Sequence, residues 1–178
     1  RVLPLHHTFE FSCGLLLPLS RGARILYLDE LSAEKLSEGL TKGRVTAMVG
    51  VPALWQMLER RIEQRVKDRG AAAEKVFDFA MEMNRTLGQK AGLNLGRVFV
   101  GTIHDALGGG PRYLISGGAA LPKQTAQFFQ GLGLPLAEGY GLTEAAPVLT
   151  VAEGVLGAPA GTVGRPIPGV ELRIVDAD

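Results

Sequence analysis

The sequence predicts an α/β fold in which a parallel or mixed β-sheet is flanked by helices. Short apolar stretches with strand-forming residues, such as 45–51 and 113–116, alternate with longer stretches whose apolar residues recur at helical spacing. This alternation is typical of βαβ units, in which helices cover parallel strands. Beyond residue 150 the sequence changes to turns rich in Gly and Pro, which indicates a β-rich C-terminal stretch.

Strands are indicated by short apolar runs that end at turn residues. We predict them at 23–28, 45–51, 113–116, 134–137 and 171–175. The run 45–51 is almost wholly apolar, as expected for a strand that is buried on both faces of a sheet.

Helices are indicated by start and stop signals and by apolar stripes. We predict them at 8–19, from the N-cap Ser32 to Thr41, from Pro52 to Gly70, after Gly70, at 97–107 and from Pro122 to Gly131. The first helix is expected to be buried. The helix after Gly70 is expected to turn one apolar side inward, formed by Val76, Phe79, Ala80, Met83 and Leu87. Residues 97–107 contain strand-forming residues, but their apolar spacing favours a helix.

Composition narrows the class of protein. The chain has 178 residues, 46% of them hydrophobic, which suits one domain or a large piece of one. A net charge of +1 gives no support for nucleic-acid binding, and the single cysteine, Cys13, excludes an intrachain disulfide. No signal peptide is recognisable and no apolar stretch approaches the ~20 residues of a membrane-spanning helix, so we expect a cytoplasmic protein.

The first of two glycine-rich segments, SGGAALP (116–122), follows a predicted strand. Gly117 and Gly118 lack a Cβ, so the backbone can approach a flat ligand closely or adopt a positive φ. Taken alone, the pair is better explained as a turn before the helix at Pro122, because two glycines are weak evidence for a ligand.

The second segment, EGYGLTE, follows the next predicted strand. Gly139 and Gly141 leave the faces of the Tyr140 ring open for stacking. Thr143 offers a hydroxyl and resembles a helix N-cap, where backbone N–H groups would favour a phosphate. Glu144 offers the hard oxygen ligands that Mg²⁺ prefers. This chemistry suits a nucleotide monophosphate, but a capped helix start with a buried tyrosine fits equally well.

The two segments would share a ligand if the strands before them are neighbours, since ligands bind beyond the carboxyl ends of strands in such sheets. His6 and His7 lack any acidic or cysteine cluster with zinc spacing, so a structural or cleft-lining role is favoured over metal binding. The basic-rich run 59–69 could touch anionic lipid. A solvated helix face is the better interpretation, because acidic residues interrupt the run and Glu63 can pair with Lys67.

Five motifs together resemble the acyl-adenylate-forming (AMP-binding) superfamily, which contains acyl-CoA synthetases, luciferases and the adenylation domains of peptide synthetases. They are LPLHH (3–7), VPALW (51–55), SGGAALP (116–122), YGLTE (140–144) and GTVGRPIPGVELRIVD (161–176). Their order and spacing fit over nearly the whole chain. LPLHHTFE and the helices between VPALW and SGGA are most similar to long-chain fatty acyl-CoA synthetases.

The resemblance implies that the chain is a central fragment of the large N-terminal domain. Its α/β portion would cover 1–150, and 151–178 would begin a β-subdomain. The family's phosphate loop, ribose-binding Asp and catalytic Lys would lie outside the chain, so the isolated chain is expected to be inactive.

The resemblance also implies roles for individual residues at the nucleotide. The backbone of Gly117, Gly118 and Ala119 would line the adenine. Tyr140 would stack on the adenine, and Gly141 would pack close by.

The implied catalytic residues are His7, Thr143 and Glu144. Thr143 would also bind the nucleotide by contacting the α-phosphate, and Glu144 would hold Mg²⁺ between the ATP phosphates. His7 would lie beside the carboxylate and the α-phosphate. Phe11 would stand at the gate of the tunnel for the acyl chain.

The implied reaction joins a fatty acid to ATP to give acyl-AMP and then transfers the acyl group to CoA, with Mg²⁺ required. Two alternatives stay open: an adenylating ligase for an aryl or amino acid, and a non-catalytic adenine-nucleotide-binding or structural module. Peripheral membrane contact is compatible with the sequence, and so is self-association through open strand edges and uncovered apolar faces.

Overall fold

A five-stranded mixed sheet organises the fold in the computed structural model, which describes residues 5–134, 136–152 and 159–175. The strands lie side by side in chain order: β1 Ala47–Gly50, β2 Tyr113–Ser116, β3 Leu136–Gly141, β4 Val148–Val151 and β5 Arg165–Pro166. Strands β1, β2 and β3 pair in parallel, whereas β3, β4 and β5 pair antiparallel. The predicted α/β class with a mixed sheet is therefore confirmed.

Helices precede β1 and fill the connections between the parallel strands. They are α1 Leu17–Ser20, α2 Ala33–Gly43, α3 Pro52–Lys67, α4 Ala71–Ala91, α5 Gly96–Phe99, α6 Gly101–Ala106 and α7 Lys123–Gly131. A π-helix, Glu10–Leu16, runs directly into α1. Within the described ranges no helix is long and apolar enough to cross a membrane.

The core lies between the sheet and α2, α3 and α7. Trp55 and Phe129 are fully buried at its centre, where their rings meet edge to face with centroids 5.7 Å apart. Leu36 and Leu40 of α2 join this cluster. The start of α2 is also confirmed, because the Ser32 hydroxyl accepts a hydrogen bond from the Lys35 N–H.

The helical interpretation of 97–107 is confirmed as the short helices α5 and α6. Gly108 and Gly109 then reverse the chain with positive φ angles of 81° and 61°. Gly108 packs so closely on α2 that a Cβ there would lie 2.6 Å from the Leu40 carbonyl oxygen. The break before β2 therefore depends on glycine for both conformation and space.

Two predicted strands are wrong. Residues 23–28 do not form a strand. Their apolar side chains pack on α2, where Leu28 lies over Gly39 and Leu26 over Gly43, and a Cβ at either glycine would be 2.8 Å from a leucine methyl. Residues 171–175 are not a strand either, and Ile174 is 97% exposed. In the described part of the chain, β5 takes the edge position next to β4 instead.

Burial of the first helix and of β1 was overestimated from their apolar sequences. Leu16, Leu17 and Leu19 are exposed, because no described element packs on that side of the helix. Along β1 buried and less buried residues alternate, so one face of the strand packs on the core and the other is only partly covered.

The predicted inward side of α4 is only partly right, because Ala80 is buried in the core and Met83 and Leu87 are half-buried, whereas the other two residues face solvent. Val76 and Phe79 are each 68% exposed. The helix instead turns Phe77 and Asn84 toward α7, where the Phe77 and Phe128 rings lie 6.2 Å apart. Fully buried Asn84 donates to the Gly131 carbonyl at 2.9 Å and accepts from the Leu95 N–H at 2.7 Å. Its side-chain amide forms hydrogen bonds with backbone groups that a hydrophobic residue would leave unpaired. The spacing of apolar residues does not reveal a buried polar residue of this kind.

The run 59–69 is not wholly a solvated face. Glu59 is only 6% exposed, and its carboxylate accepts a hydrogen bond of 2.7 Å from the Thr125 hydroxyl of α7. Helix α3 therefore turns this acid toward α7 and the core. Among the described residues Glu63 and Lys67 form no ion pair.

Candidate functional site

The carboxyl ends of the three parallel strands form a common rim. Gly50, Ser116 and Glu138 pair in register across β1, β2 and β3, so the segments that follow them leave the sheet at the same edge. The prediction that both glycine-rich segments share one rim is confirmed. The residues after Ser116 and after Glu138 can therefore contact one ligand.

The first glycine-rich segment is fixed at its start and open in its middle. The Gly117 N–H donates to the Gly50 carbonyl at 3.1 Å. Gly117 is buried under Phe9, and a Cβ at Gly117 would lie only 2.6 Å from Cζ of that ring. Gly118, with a φ of 81°, and Ala119 are exposed at the rim. Both sequence interpretations thus hold: the segment is a strand-to-helix turn, and it presents bare backbone.

The second glycine-rich segment is largely strand, which the sequence interpretation missed. Strand β3 continues past the predicted end at 137 through Gly141, because Gly139 and Tyr140 pair with β4. Pairing shifts at Gly141, whose backbone lies so close to Pro147 that a Cβ would overlap the Pro147 carbonyl oxygen. Tyr140 is 43% exposed and not the buried tyrosine of the alternative interpretation. A planar base can therefore reach the ring.

The expected helix N-cap at Thr143 is wrong. Thr143–Ala145 is a single 3₁₀ turn whose N-cap is Leu142, and no side chain caps it. The N–H groups of Ala145 and Ala146 donate inside this turn to the carbonyl oxygens of Leu142 and Thr143. The Thr143 hydroxyl is exposed and can reach a phosphate.

The Glu144 carboxylate is exposed and has no hydrogen-bond or ion-pair partner among the described residues. Those residues also contain no group of three or more metal-ligating side chains. A metal held by Glu144 would need further oxygen ligands from a substrate. Mg²⁺ fits this arrangement, because it commonly takes one or two carboxylates together with waters and phosphate oxygens.

The histidine segment lies beside the same rim. His7 is exposed, and its Nδ1 accepts the Phe9 N–H at 3.3 Å, which leaves the ring proton on Nε2. Phe9, buried over Gly117, connects this segment to the first glycine-rich segment. Sequence reasoning missed Phe9. Its only signal was an aromatic residue two positions after His7, with nothing to show what it covers.

Phe11, the proposed gate, is exposed. A cavity of about 420 Å³ lies between the π-helix, the segment 23–28 and β1, and its lining includes Glu10 and Cys13 but not Phe11. Burial, followed by the nearby Glu10 carboxylate, raises the pKa of the Cys13 thiol, which therefore stays protonated. π-helical turns are common at functional sites, which agrees with a role for this segment.

Glu138 is a second residue that sequence reasoning missed. It is 7% exposed at the end of the parallel part of β3, and its Oε1 accepts the Leu121 N–H at 2.9 Å. Its carbonyl oxygen accepts the Ala152 N–H at 2.8 Å. The glutamate before Gly139 was read as the start of a loop, so nothing in the sequence indicated its burial.

The AMP-binding enzyme family model matches residues 1–178. The chain is 33% identical to Long-chain-fatty-acid–CoA ligase 2 of Schizosaccharomyces pombe, over 98% of this chain and 26% of that protein. It is also 33% identical to Long chain acyl-CoA synthetase 2 of Arabidopsis thaliana, over 97% of this chain and 27% of that protein. The chain therefore spans about a quarter of the length of these curated relatives.

Solved structures share the fold at low sequence identity. The N-terminal domain of FACL13 from Mycobacterium tuberculosis matches 93% of this chain with a TM-score of 0.63 at 18% identity, over 32% of that chain. A long-chain-fatty-acid-CoA ligase from Archaeoglobus fulgidus matches 93% of this chain with a TM-score of 0.61 at 17% identity, over 27% of that chain. Since the family model covers residues 1–178, the chain belongs to the family of AMP-binding enzymes.

Proposed function

We propose that this chain forms the central part of an AMP-forming long-chain fatty acyl-CoA ligase. The observation that carries the proposal is the parallel pairing of β2 and β3, which puts SGGAALP and YGLTE at one rim of the sheet. The names of the two curated relatives favour a long-chain fatty acid as the substrate.

In the proposed adenylation step, a carboxylate oxygen of the fatty acid attacks the α-phosphorus of ATP. A P–O bond forms to the acyl group, the bond to the β-phosphate oxygen breaks, and pyrophosphate leaves. The exposed backbone of Gly118 and Ala119 would contact the adenine, and Tyr140 would stack on it, while Gly117 supports this surface from beneath Phe9. These contacts position ATP, which is the main demand of a phosphoryl-transfer step.

Two side chains would act on charge at the α-phosphate. The Thr143 hydroxyl would donate to a phosphate oxygen, and the His7 Nε2–H would donate to the carboxylate or to the phosphate. Glu144 would hold Mg²⁺, which when bound offsets the negative charge of the ATP phosphates. In the second step the CoA thiol attacks the acyl carbonyl, a C–S bond forms and AMP leaves.

The test is Glu144→Ala in the intact protein, measured by fatty-acid-dependent pyrophosphate release at varied Mg²⁺. We expect a loss of adenylation with an increased Mg²⁺ requirement and an unchanged melting temperature. The control is Asp78→Ala, which removes an exposed acid of α4. If adenylation by wild type and by Glu144→Ala depends on Mg²⁺ in the same way, the proposal that Glu144 holds Mg²⁺ is contradicted. Activity with an aryl or amino acid instead of a fatty acid would change the substrate class but not the site.

We further propose that the protein works in the cytoplasm and contacts membranes peripherally through α3. Arg65 and Arg69 are exposed and form no ion pair among the described residues, whereas Arg61 lies 3.4 Å from Glu34. These arginines border an apolar cavity of about 470 Å³ that also includes exposed Val76. Basic and apolar groups side by side favour an anionic lipid surface.

Co-sedimentation with vesicles tests the membrane proposal. Binding to vesicles that contain phosphatidylserine should fall in the Arg65→Ala, Arg69→Ala double variant and stay unchanged in Lys90→Ala. Equal binding of both variants would contradict it. We also expect the isolated chain to self-associate through its exposed leucines, such as Leu17 and Leu19, which size-exclusion chromatography at several concentrations would show.

A further inference from the structure

Glu138 connects three parts of the candidate site. Its carboxylate binds the N–H of Leu121, which lies at the end of the first glycine-rich segment, and its carbonyl oxygen binds the N–H of Ala152 after β4. Two residues further along β3 is Tyr140. One residue therefore joins the backbone surface of the first segment to the strand that carries the aromatic ring.

The first glycine-rich segment is held at both ends. At its start the Gly117 N–H bonds to Gly50, and at its end the Leu121 N–H bonds to Glu138. Leu121 is buried, and the next residue, Pro122, has a restricted φ and caps α7. Only the middle of the segment, residues 118–120, is exposed. The Glu138 bond is thus the contact that fixes these exposed residues relative to β3.

A buried carboxyl group at this position costs free energy. Burying a polar group is unfavourable unless it is hydrogen-bonded, and the described residues place no cation in an ion pair with Glu138. At 2.9 Å, the bond from the Leu121 N–H to Oε1 has the usual length of an N–H···O hydrogen bond. The arrangement gives a directional attachment for one backbone N–H at the edge of the site.

We propose that Glu138 is a positioning residue that sets the distance between the exposed backbone 118–120 and the Tyr140 ring, and thereby the affinity for the adenine nucleotide. This inference rests on the proposed nucleotide site. Glu138 does not itself touch the nucleotide. It acts through Leu121, so its removal should raise the KM for ATP more than it lowers kcat and leave the KM for the fatty acid unchanged.

The experiment uses the intact protein with Glu138→Leu and Glu138→Gln, and with Glu59→Leu and Glu59→Gln as matched controls. Glu59 is equally buried and also accepts one hydrogen bond from an uncharged donor, but it lies between α3 and α7. We expect Glu138→Leu to raise the KM for ATP about tenfold, which corresponds to the loss of one hydrogen bond. Glu138→Gln retains an acceptor oxygen and should recover most of the affinity. Neither Glu59 variant should change the KM for ATP.

Hydrogen exchange at the Leu121 amide gives a readout that does not depend on activity. Exchange should be slow in wild type and in Glu138→Gln and faster in Glu138→Leu. If Glu138→Leu does not fold, Glu138→Ala at reduced temperature replaces it, with the same expectation.

An unchanged KM for ATP in Glu138→Leu, an equal increase in Glu59→Leu, or unchanged Leu121 exchange would overturn the proposal. If wild type binds no adenine nucleotide, the proposed function fails and the inference fails with it. If wild type binds the nucleotide and Glu138→Leu binds it equally well, only the inference fails.

Discussion

Glu59 and Glu138 are buried to nearly the same extent, with 6% and 7% of their surface exposed. Glu59 accepts a hydrogen bond from the Thr125 hydroxyl and joins two helices of the layer that covers the sheet. Glu138 accepts one from the Leu121 N–H and joins a loop to a strand at the rim. The same kind of contact fixes packing in one region and the exposed backbone of 118–120 in the other. A change in the helical layer should therefore alter stability, whereas a change at the rim should alter nucleotide binding.

The largest expected effect is on stability, from Asn84→Ala in the helical layer. The variant leaves the partly buried Leu95 N–H and the buried Gly131 carbonyl without this partner. We expect the free energy of unfolding to fall by about 3 kcal/mol, because buried unsatisfied backbone groups are expensive. Urea denaturation of the intact protein measures it. Gln89→Ala, at an exposed position of the same helix, should change little, and the KM for ATP should stay at the wild-type value at temperatures where the variant is folded.

Gly117→Ala should affect both properties, because Gly117 lies at the rim but is buried. The new methyl would lie 2.6 Å from the Phe9 ring. We expect a destabilisation of about 2 kcal/mol from overpacking, accompanied by weaker nucleotide binding. Gly101→Ala on α6 is the control, since nothing lies within 4 Å of its Cβ position and alanine favours a helix. An equal decrease in melting temperature in both variants would contradict the close packing of Phe9 on Gly117.

Tyr140→Ala tests the rim without a change in the core. Loss of stacking should weaken adenine-nucleotide binding about tenfold, while Tyr140→Phe retains the ring and the affinity. Tyr113→Ala serves as the control, because Tyr113 is an exposed tyrosine at the opposite end of β2. Isothermal titration with ATP should separate the two tyrosines. An equal loss of ATP affinity in Tyr140→Ala and Tyr113→Ala would mean that the ring of Tyr140 does not face the base.

The smallest expected effect is a pH dependence of stability, which arises from the Glu59 carboxyl in the helical layer. Burial raises the pKa of the Glu59 carboxyl, the hydrogen bond from Thr125 lowers it, and the Glu63 charge raises it further. Because the folded-state pKa lies above the unfolded-state pKa, the resulting stabilisation is complete below the unfolded value and is lost as pH rises through the folded value.

Glu59→Gln does not titrate, so its stability relative to wild type should increase as pH rises above about 4, the ordinary pKa of a glutamate. Chemical denaturation at several pH values measures this difference. A difference that stays constant with pH would show that the Glu59 carboxyl is not perturbed by burial.

The parallel half of the sheet and the shared rim of the two glycine-rich segments could be predicted from sequence because their signals are local. Ser32 and Pro52 mark helix starts, the run 113–116 is a short apolar strand, and the glycine-rich segments follow strands that turned out to be neighbours. Each of these features depends on residues within a few positions along the chain.

The remaining features depend on partners that are distant in sequence. Gly139 and Tyr140 are strand residues only because β4 pairs with them, and the segment 23–28 packs on α2 although it reads as a strand. Sequence analysis missed the burial of the polar residues Glu59, Asn84 and Glu138 for the same reason. Their hydrogen-bond partners lie between 11 and 66 residues away, beyond the reach of a local pattern.

The most direct test of the account is hydrogen–deuterium exchange of the intact protein with and without saturating ATP. The account predicts slower exchange in 117–121 and 138–144 when ATP is bound, no change along α4, and loss of the effect at Leu121 in Glu138→Leu. Slower exchange confined to other parts of the chain, with both rim segments unchanged, would contradict the assignment of the nucleotide to this rim.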